Sequence, residues 1–208
     1  VSYSKTDLFN LALAEVPAAA VVSDAENSPE AKACRRFYAA CLSELIDRYN
    51  WRFAVKQAVL AELTNTRDTE WAFAYQVPSD CAKPLAIVVA QWMQAYPAEP
   101  GEAYAADLLN GRAIPYDLQG TKLFTNEEDA ILRYVRNDIV ATDLPPLVAK
   151  ALYLDLAARV SGFLTQRDER KAALLGLARD ALEEARVMDR QRQPATAERT
   201  PDWIKARA

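Results

Sequence analysis

Histidine is absent from all 208 residues, and that absence decides more about the chemistry open to this chain than any residue present. Without imidazole there is no Ser–His or Cys–His activation of a nucleophile and no histidine acid or base. The commonest transition-metal ligand is missing too. Carboxylate-only chemistry is the route left open. Two acidic clusters are its candidates: Glu127-Glu128-Asp129, in a turn between apolar runs, and Glu183-Glu184, on the polar face of a predicted helix. Both read as solvated surface. The three cysteines include no CxxC pair, which argues against a disulfide framework or a thiolate zinc site. Cys34 and Cys41 would lie about 10.5 Å apart along a helix axis, beyond the roughly 7 Å that a disulfide can bridge. They are expected to be buried thiols in a reducing cell. Five unclustered glycines give no GxGxxG or GxxxxGK phosphate cradle.

The elements that would position these residues follow from periodicity. A first helix starts near Ser4 or Thr6, either able to cap it, and runs through KTDLFNLALAEV to Pro17. After the turn-rich VVSDAENSP, Ser28-Pro29-Glu30 supplies a cap, a first-turn proline and an acid near the positive helix end. Ala33, Phe37, Cys41 and Leu45, flanked by Cys34, Tyr38, Leu42 and Tyr49, then mark an amphipathic helix to about Tyr49. Beyond it the period shifts to two. Trp51, Phe53, Val55, Val59 and Leu63 fall on one side of an extended chain, and Trp71, Phe73, Tyr75 and Val77 share a face of a second. Joined through TNTRDTE, these strands predict an aromatic-faced ribbon that Trp51, Phe53, Trp71, Phe73 and Tyr75 hold rigid. A helical reading of 51–62 also fits.

KPLAIVVAQW reads as a further strand, 94–112 as an irregular excursion, and IPYDLQ, TKLFT and AILRYVR as a meander. Helix then returns at 147–165, apolar except for a stripe of Asp155, Arg159, Gly162 and Gln166. Such a helix is central, or meets a neighbouring subunit. The last helix should bury Ala172, Leu175, Ala178, Leu182 and Ala185. The expected fold is therefore α+β and mainly α: a helical bundle with a small, mostly antiparallel β-sheet inserted in the middle and an extended C-terminal tail. Its segments are N-terminal helices at 1–50, a β-rich insertion at 51–137, C-terminal helices at 138–191 and the tail at 192–208.

That tail loses all periodicity and changes sign. Residues 186–208 hold six Lys/Arg against three Asp/Glu, leaving 19 against 26 in residues 1–185. The body is acidic and the tail basic. An aromatic anchor beside cations is the composition of an interface hot spot, so Arg192, Arg199, Trp203, Ile204, Lys205 and Arg207 are its candidate docking residues. No run approaches the roughly 20 apolar residues that span a bilayer. VSYSKTDLFN lacks the layout of a signal peptide, so the chain is expected to be soluble and intracellular when made, without contact to membrane.

The motifs in order are Trp51-Arg52-Phe53-Ala54 after the second helix, Ala74-Tyr75-Gln76-Val77-Pro78-Ser79-Asp80-Cys81, Leu132-Arg133-Tyr134-Val135, and the helix opened by Leu144-Pro145-Pro146. Over about residues 4–185 this order resembles the head-to-tail adaptors of tailed bacteriophages, in particular the tail tubular protein A type. The resemblance implies a structural virion protein of the neck, assembled in the host cytoplasm, with no enzymatic activity and no cofactor. It further implies a homo-oligomeric ring, commonly dodecameric, with a portal protein above, a tail or nozzle protein below, and DNA passing through the channel without sequence-specific binding. The C-terminal tail would then dock on the portal. An acidic body suits such a conduit, because carboxylates deny the phosphate backbone the gain from counterion release. The rival readings are a small helical DNA-binding regulator using Arg35, Arg36 and Arg48, and a carboxylate-driven hydrolase.

Overall fold

Two serines start the helical part of the chain. In the computed structural model, which describes residues 2–89, 114–164 and 168–191, Ser4 caps α1 (Lys5–Ala14). Its hydroxyl accepts from the Asp7 amide at 3.1 Å while Asp7 accepts from the Ser4 amide at 2.8 Å, the reciprocal pair that satisfies two orphan donors. Ser28 does the same work for α2 (Pro29–Asp47), accepting from the Ala31 amide at 3.3 Å with proline in the first turn. Asn10 pins the intervening linker to α1 by exchanging two hydrogen bonds with the Val21 backbone. The third helix, α3 (Pro146–Leu164), packs against both α1 and α2. Leu152, Leu156, Ala157 and Val160 are among its buried residues, and Phe163 near its end is half exposed.

The fourth, α4 (Asp168–Gln191), buries Leu174, Ala178, Ala181, Leu182 and Ala185. Of the face expected from sequence, Ala172 is exposed and Leu175 half-buried. A single methyl at Ala172 brings too little apolar area to draw the first turns inward, and the larger Leu174 decides the phase.

Seven strands complete the described fold: β1 (Val55–Val59), β2 (Ala61–Leu63), β3 (Phe73–Gln76), β4 (Cys81–Val89), β5 (Tyr116–Gln119), β6 (Lys122–Thr125) and β7 (Ala130–Arg136). They form two sheets, ordered β1-β7-β4 and β2-β3-β6-β5. This corrects the expected helical bundle with one small inserted sheet: among the described residues four helices accompany two antiparallel sheets, and strand takes 22% of those residues beside 48% helix. Three local causes account for the difference.

First, the stretch 55–63 is two strands. Leu60 is buried between them and donates its amide to Ala130 O at 3.0 Å, while Val59 is 73% exposed. The expected single face therefore breaks at Leu60, and the chain changes pairing partner there. Second, the meander divides. β5 and β6 form a hairpin across Gly120-Thr121, in which glycine takes φ 62, as the twist of a two-residue hairpin requires. The following loop, with Asp129 at φ 50, sends β7 into the other sheet. Residues 130–132 and 134–135 are all buried, which suits a strand with neighbours on both sides. β4, which carries Pro84, sits at an edge of that sheet.

Third, the expected ribbon forms only in part: β2 and β3 pair antiparallel across the TNTRDTE connection, but the first aromatic pair lies outside it. Trp51 and Phe53 belong to a 3-10 turn at Arg52–Ala54 and its cap, ahead of β1. Trp51 is fully buried, with Tyr49 and Phe53 rings at 4.9 and 6.1 Å and its indole N–H donating to Leu45 O at 2.8 Å. That hydrogen bond requires a turn where the two-residue period predicts a strand. Trp71 precedes β3, while Phe73 and Tyr75 lie on β3 with stacked rings 6.3 Å apart. The strands beside β3 are β2 and β6.

The described residues divide into two units: 2–58, 78–85, 133–164 and 168–188, which hold the four helices, and 59–77, 86–89, 114–132 and 189–191, which hold the β2-β3-β6-β5 sheet. In the second unit Arg67 pairs with Glu70 and Asp117 and covers the Phe124 ring at 5.0 Å. The 94–112 excursion and the 192–208 tail lie outside the described residues. No described helix is long and apolar enough to cross a membrane.

Replacing Trp51 with alanine is expected to cost about 3–5 kcal/mol, since it leaves both a cavity and a free helix carbonyl. Val22→Ser, at a side chain 92% exposed, should stay within about 0.5 kcal/mol. Urea midpoints at pH 7 measure both, and a Trp51→Ala loss below about 1 kcal/mol would contradict this account of the core.

Candidate functional site

Pro78-Ser79-Asp80 closes a turn into β4, with the Cys81 amide donating to Pro78 O at 3.0 Å. This turn presents the Asp80 carboxylate to two other strands. Lys56 of β1 donates to Asp80 Oδ2 at 2.7 Å, and the Tyr134 hydroxyl of β7 donates to Oδ1 at 2.8 Å. Both carboxylate oxygens are thus engaged. Lys56 also lies 3.6 Å from Asp138, and Arg136 reaches Asp138 at 3.1 Å and Asp143 at 2.6 Å. The ammonium of Lys56, then the Tyr134 hydroxyl, hold Asp80 below the usual carboxylate range, and Asp80 in turn raises Lys56. Burial, then the bond to Asp80, pushes Tyr134 up to about 12. An acid or base working near neutrality needs a proton affinity near that pH. These three are each driven away from it, as in a cross-strand clamp.

A second constellation joins the helices. Arg159 of α3 grips Glu44 of α2 through both guanidinium arms at 3.0 and 2.6 Å and lies 3.2 Å from Asp155. Arg48 adds a 3.5 Å contact to Glu44. Glu44 is lowered by its bond to Arg159, and Arg159 is raised by Glu44. The stripe expected at Asp155 and Arg159 thus faces another helix; Gly162 is half-buried and Gln166 lies outside the described residues. Burial, with Asp155 nearby, pushes the Cys41 thiol to about 12, and burial with Glu30 pushes Cys34 to about 11. Thiols held so high are poor nucleophiles.

A third feature is concave. A cleft of about 420 Å³ is lined by Tyr38, Ala39, Leu42, Ser43, Ile46 and Asp47 of α2, with Lys5, Ala82, Asn137 and Ile139 completing it. Lys5 is bound to Asp24 at 3.0 Å and lies 5.5 Å from the Tyr38 ring centre. Asp47, exposed at the cleft, has no ion-pair partner among the described residues. No group of three potential metal ligands occurs among the described residues.

The residues singled out from sequence do not converge on one site. Trp51 and Phe53 sit in the helical unit, and Trp71, Phe73 and Tyr75 in the other. Arg192, Arg199, Trp203, Ile204, Lys205 and Arg207 lie outside the described residues. The arginines of the DNA-binding reading are committed locally: Arg35 donates to the Asp24 and Glu26 carbonyls, Arg36 lies over Phe37 and Phe163 at 5.8 and 5.9 Å, and Arg48 pairs with Glu44. The acidic triplet 127–129 is a loop, and Glu183 and Glu184 are exposed. Sequence reasoning missed the Asp80 and Arg159 clusters. Asp80 and Tyr134 lie inside quoted motifs, but their pairing, across 54 residues, is visible only in the fold. The chain matches no protein-family model, and comparison with curated proteins gives no match.

Two measurements bear on these clusters. In native protein Cys81, half-buried, should react first with a thiol reagent, while Cys34 and Cys41 react only on unfolding; equal native rates would contradict their burial. The folded Tyr134 holds its proton to about 12 against 10.0 ordinarily. Its stabilisation is therefore whole below the lower value and lost as pH rises toward the higher. Tyr134→Phe should flatten the alkaline loss of stability in urea melts between about pH 10 and 12, and an unchanged slope would place that loss elsewhere.

Proposed function

We propose that this chain is a structural subunit of a tailed bacteriophage virion, a head-to-tail adaptor. Its copies close into a ring, expected to be dodecameric, between a portal protein and a tail or nozzle protein. The ring is part of the virion neck, is assembled in the host cytoplasm, and passes DNA without reading its sequence. The support from sequence is the motif order and the acidic body, 19 basic against 26 acidic residues over 1–185.

The structural observation that carries the reading is the outer face of α4. Leu177 is 52% exposed, Val187 49% and Met188 40%. Leu177 and Met188, eleven residues apart, return to the same side of a helix within about 20°. Most apolar residues of α3 are buried, whereas α4 keeps three large ones exposed, surface available to a neighbour. Phe163, half exposed at the end of α3, adds to that supply. The clamps at Asp80 and Arg159 stiffen the subunit behind this surface. Groups locked into ion pairs serve rigidity better than turnover.

Native mass measurement and negative-stain imaging, with and without the portal, test the proposal. Closed rings of one stoichiometry are expected. Leu177→Glu should suppress them while leaving thermal stability within about 0.5 kcal/mol, as for exposed positions. A stable dimer in both conditions would sink the reading.

A further inference from the structure

We propose that the cleft along α2 receives the C-terminal segment of a second copy of this chain, with Trp203 as the anchor. The proposal rests on the ring reading above and names its subunit contact. The cleft is the right size and chemistry. Its volume of about 420 Å³ exceeds an indole, and its apolar walls are Tyr38, Ala39, Leu42, Ile46, Ala82 and Ile139. Ser43 and Asn137 offer hydrogen bonds beside them, and Asp47 contributes a carboxylate that no described cation neutralises. Lys5, the cleft's cation, is already bound to Asp24.

The chain itself contains the complementary segment. Beyond Gln191, where α4 ends, residues 192–208 carry Arg192, Arg199, Lys205 and Arg207 against Glu198 and Asp202. The bulky apolar pair Trp203-Ile204 lies directly before Lys205. An aromatic residue entering the cleft would thus bring a cation to Asp47, the pairing that gives a contact both affinity and register. The twelve steps from Gln191 to Trp203 span up to about 40 Å of chain. The target expected for this segment is an acidic surface on the portal, yet the chain's own body is acidic. A ring of identical subunits needs a donor patch and a different receptor patch on each copy; the segment and the cleft are such a pair.

Full-length Trp203→Ala and Ala39→Glu test it. Ala39 is exposed and lines the cleft, so glutamate there obstructs the receptor without entering the core. Circular dichroism and melting confirm folding. Ring formation, free or on the portal, is read by sedimentation velocity and imaging. Each variant should weaken self-association roughly thirtyfold, the scale of an interface anchor. Mixed one to one, the two variants should recover pairs that grow no further, because one supplies the intact cleft and the other the intact segment. Rings that survive both substitutions would overturn the contact while leaving the adaptor reading standing. Sensitivity to Trp203→Ala alone, or failure of the mixture to pair, would place the segment elsewhere, on the portal or in its own chain, and overturn it too. Absence of rings from the wild type under every condition would remove both proposals.

Discussion

The indole of Trp51 holds the end of α2, and much of the helical unit depends on that contact. A helix leaves its last four carbonyls without intrahelical partners. In α2 the Glu44 carbonyl accepts from the Arg48 amide, Leu45 O accepts from the Trp51 indole, and Arg48 O accepts from Arg186 of α4. One of these acceptors is therefore satisfied by a side chain that is itself fully buried, and another by a different helix. Arg186 also lies over the Tyr49 ring at 5.7 Å, and Tyr49 meets Trp51 edge-on. Helix end, turn and α4 are coupled through adjoining aromatic rings, and the chain enters β1 only after the turn has placed the indole.

The polar interior follows the same logic. Arg159 and Glu44 are 115 residues apart in sequence, yet form a two-pronged pair in a partly screened setting. Exposed ion pairs contribute little. This one gains from geometry, because a planar guanidinium meeting both oxygens of a carboxylate sets the rotation of α3 against α2. Asp80 sets strands in a comparable way: lysine on one oxygen and tyrosine on the other align β1 and β7 with the turn into β4. Charge here is used for register. The Cys41 thiol beside the Arg159 pair is insulated by burial.

How much of this was legible in the sequence depends on range. Helix starts were legible because caps are local: Ser4 with Asp7, and Ser28 with Pro29, act within three residues. The burial of most of the helix Pro146–Leu164 was legible because its polar stripe is so narrow. The division into two sheets was not. It turns on Leu60, whose partner Ala130 is distant in sequence, and on Asp129, whose backbone redirects β7. Period two describes an extended chain and says nothing about its neighbour. The aromatic repeats misled for the same reason: Trp51 and Phe53 match strand spacing, but the fate of the indole is decided by a helix carbonyl six residues earlier. The charge clusters were illegible because each pairs residues from separate elements.

The two sides of α2 have different occupations. On one, Cys41, Leu45 and Glu44 face α3 and α4, with Arg159 and Asp155 holding the helix against movement. On the other, Tyr38, Leu42 and Ile46 line the cleft. Binding costs conformational entropy on both partners, and the cost falls when one of them is already rigid. A helix capped by Ser28, clamped along its back by Arg159 and held at its end by Trp51 and Arg186 has little freedom left to lose. The packing that stabilises the subunit therefore also prepares the front of α2 as a receptor, and a mutation that loosens the back should weaken contacts made at the front without touching them.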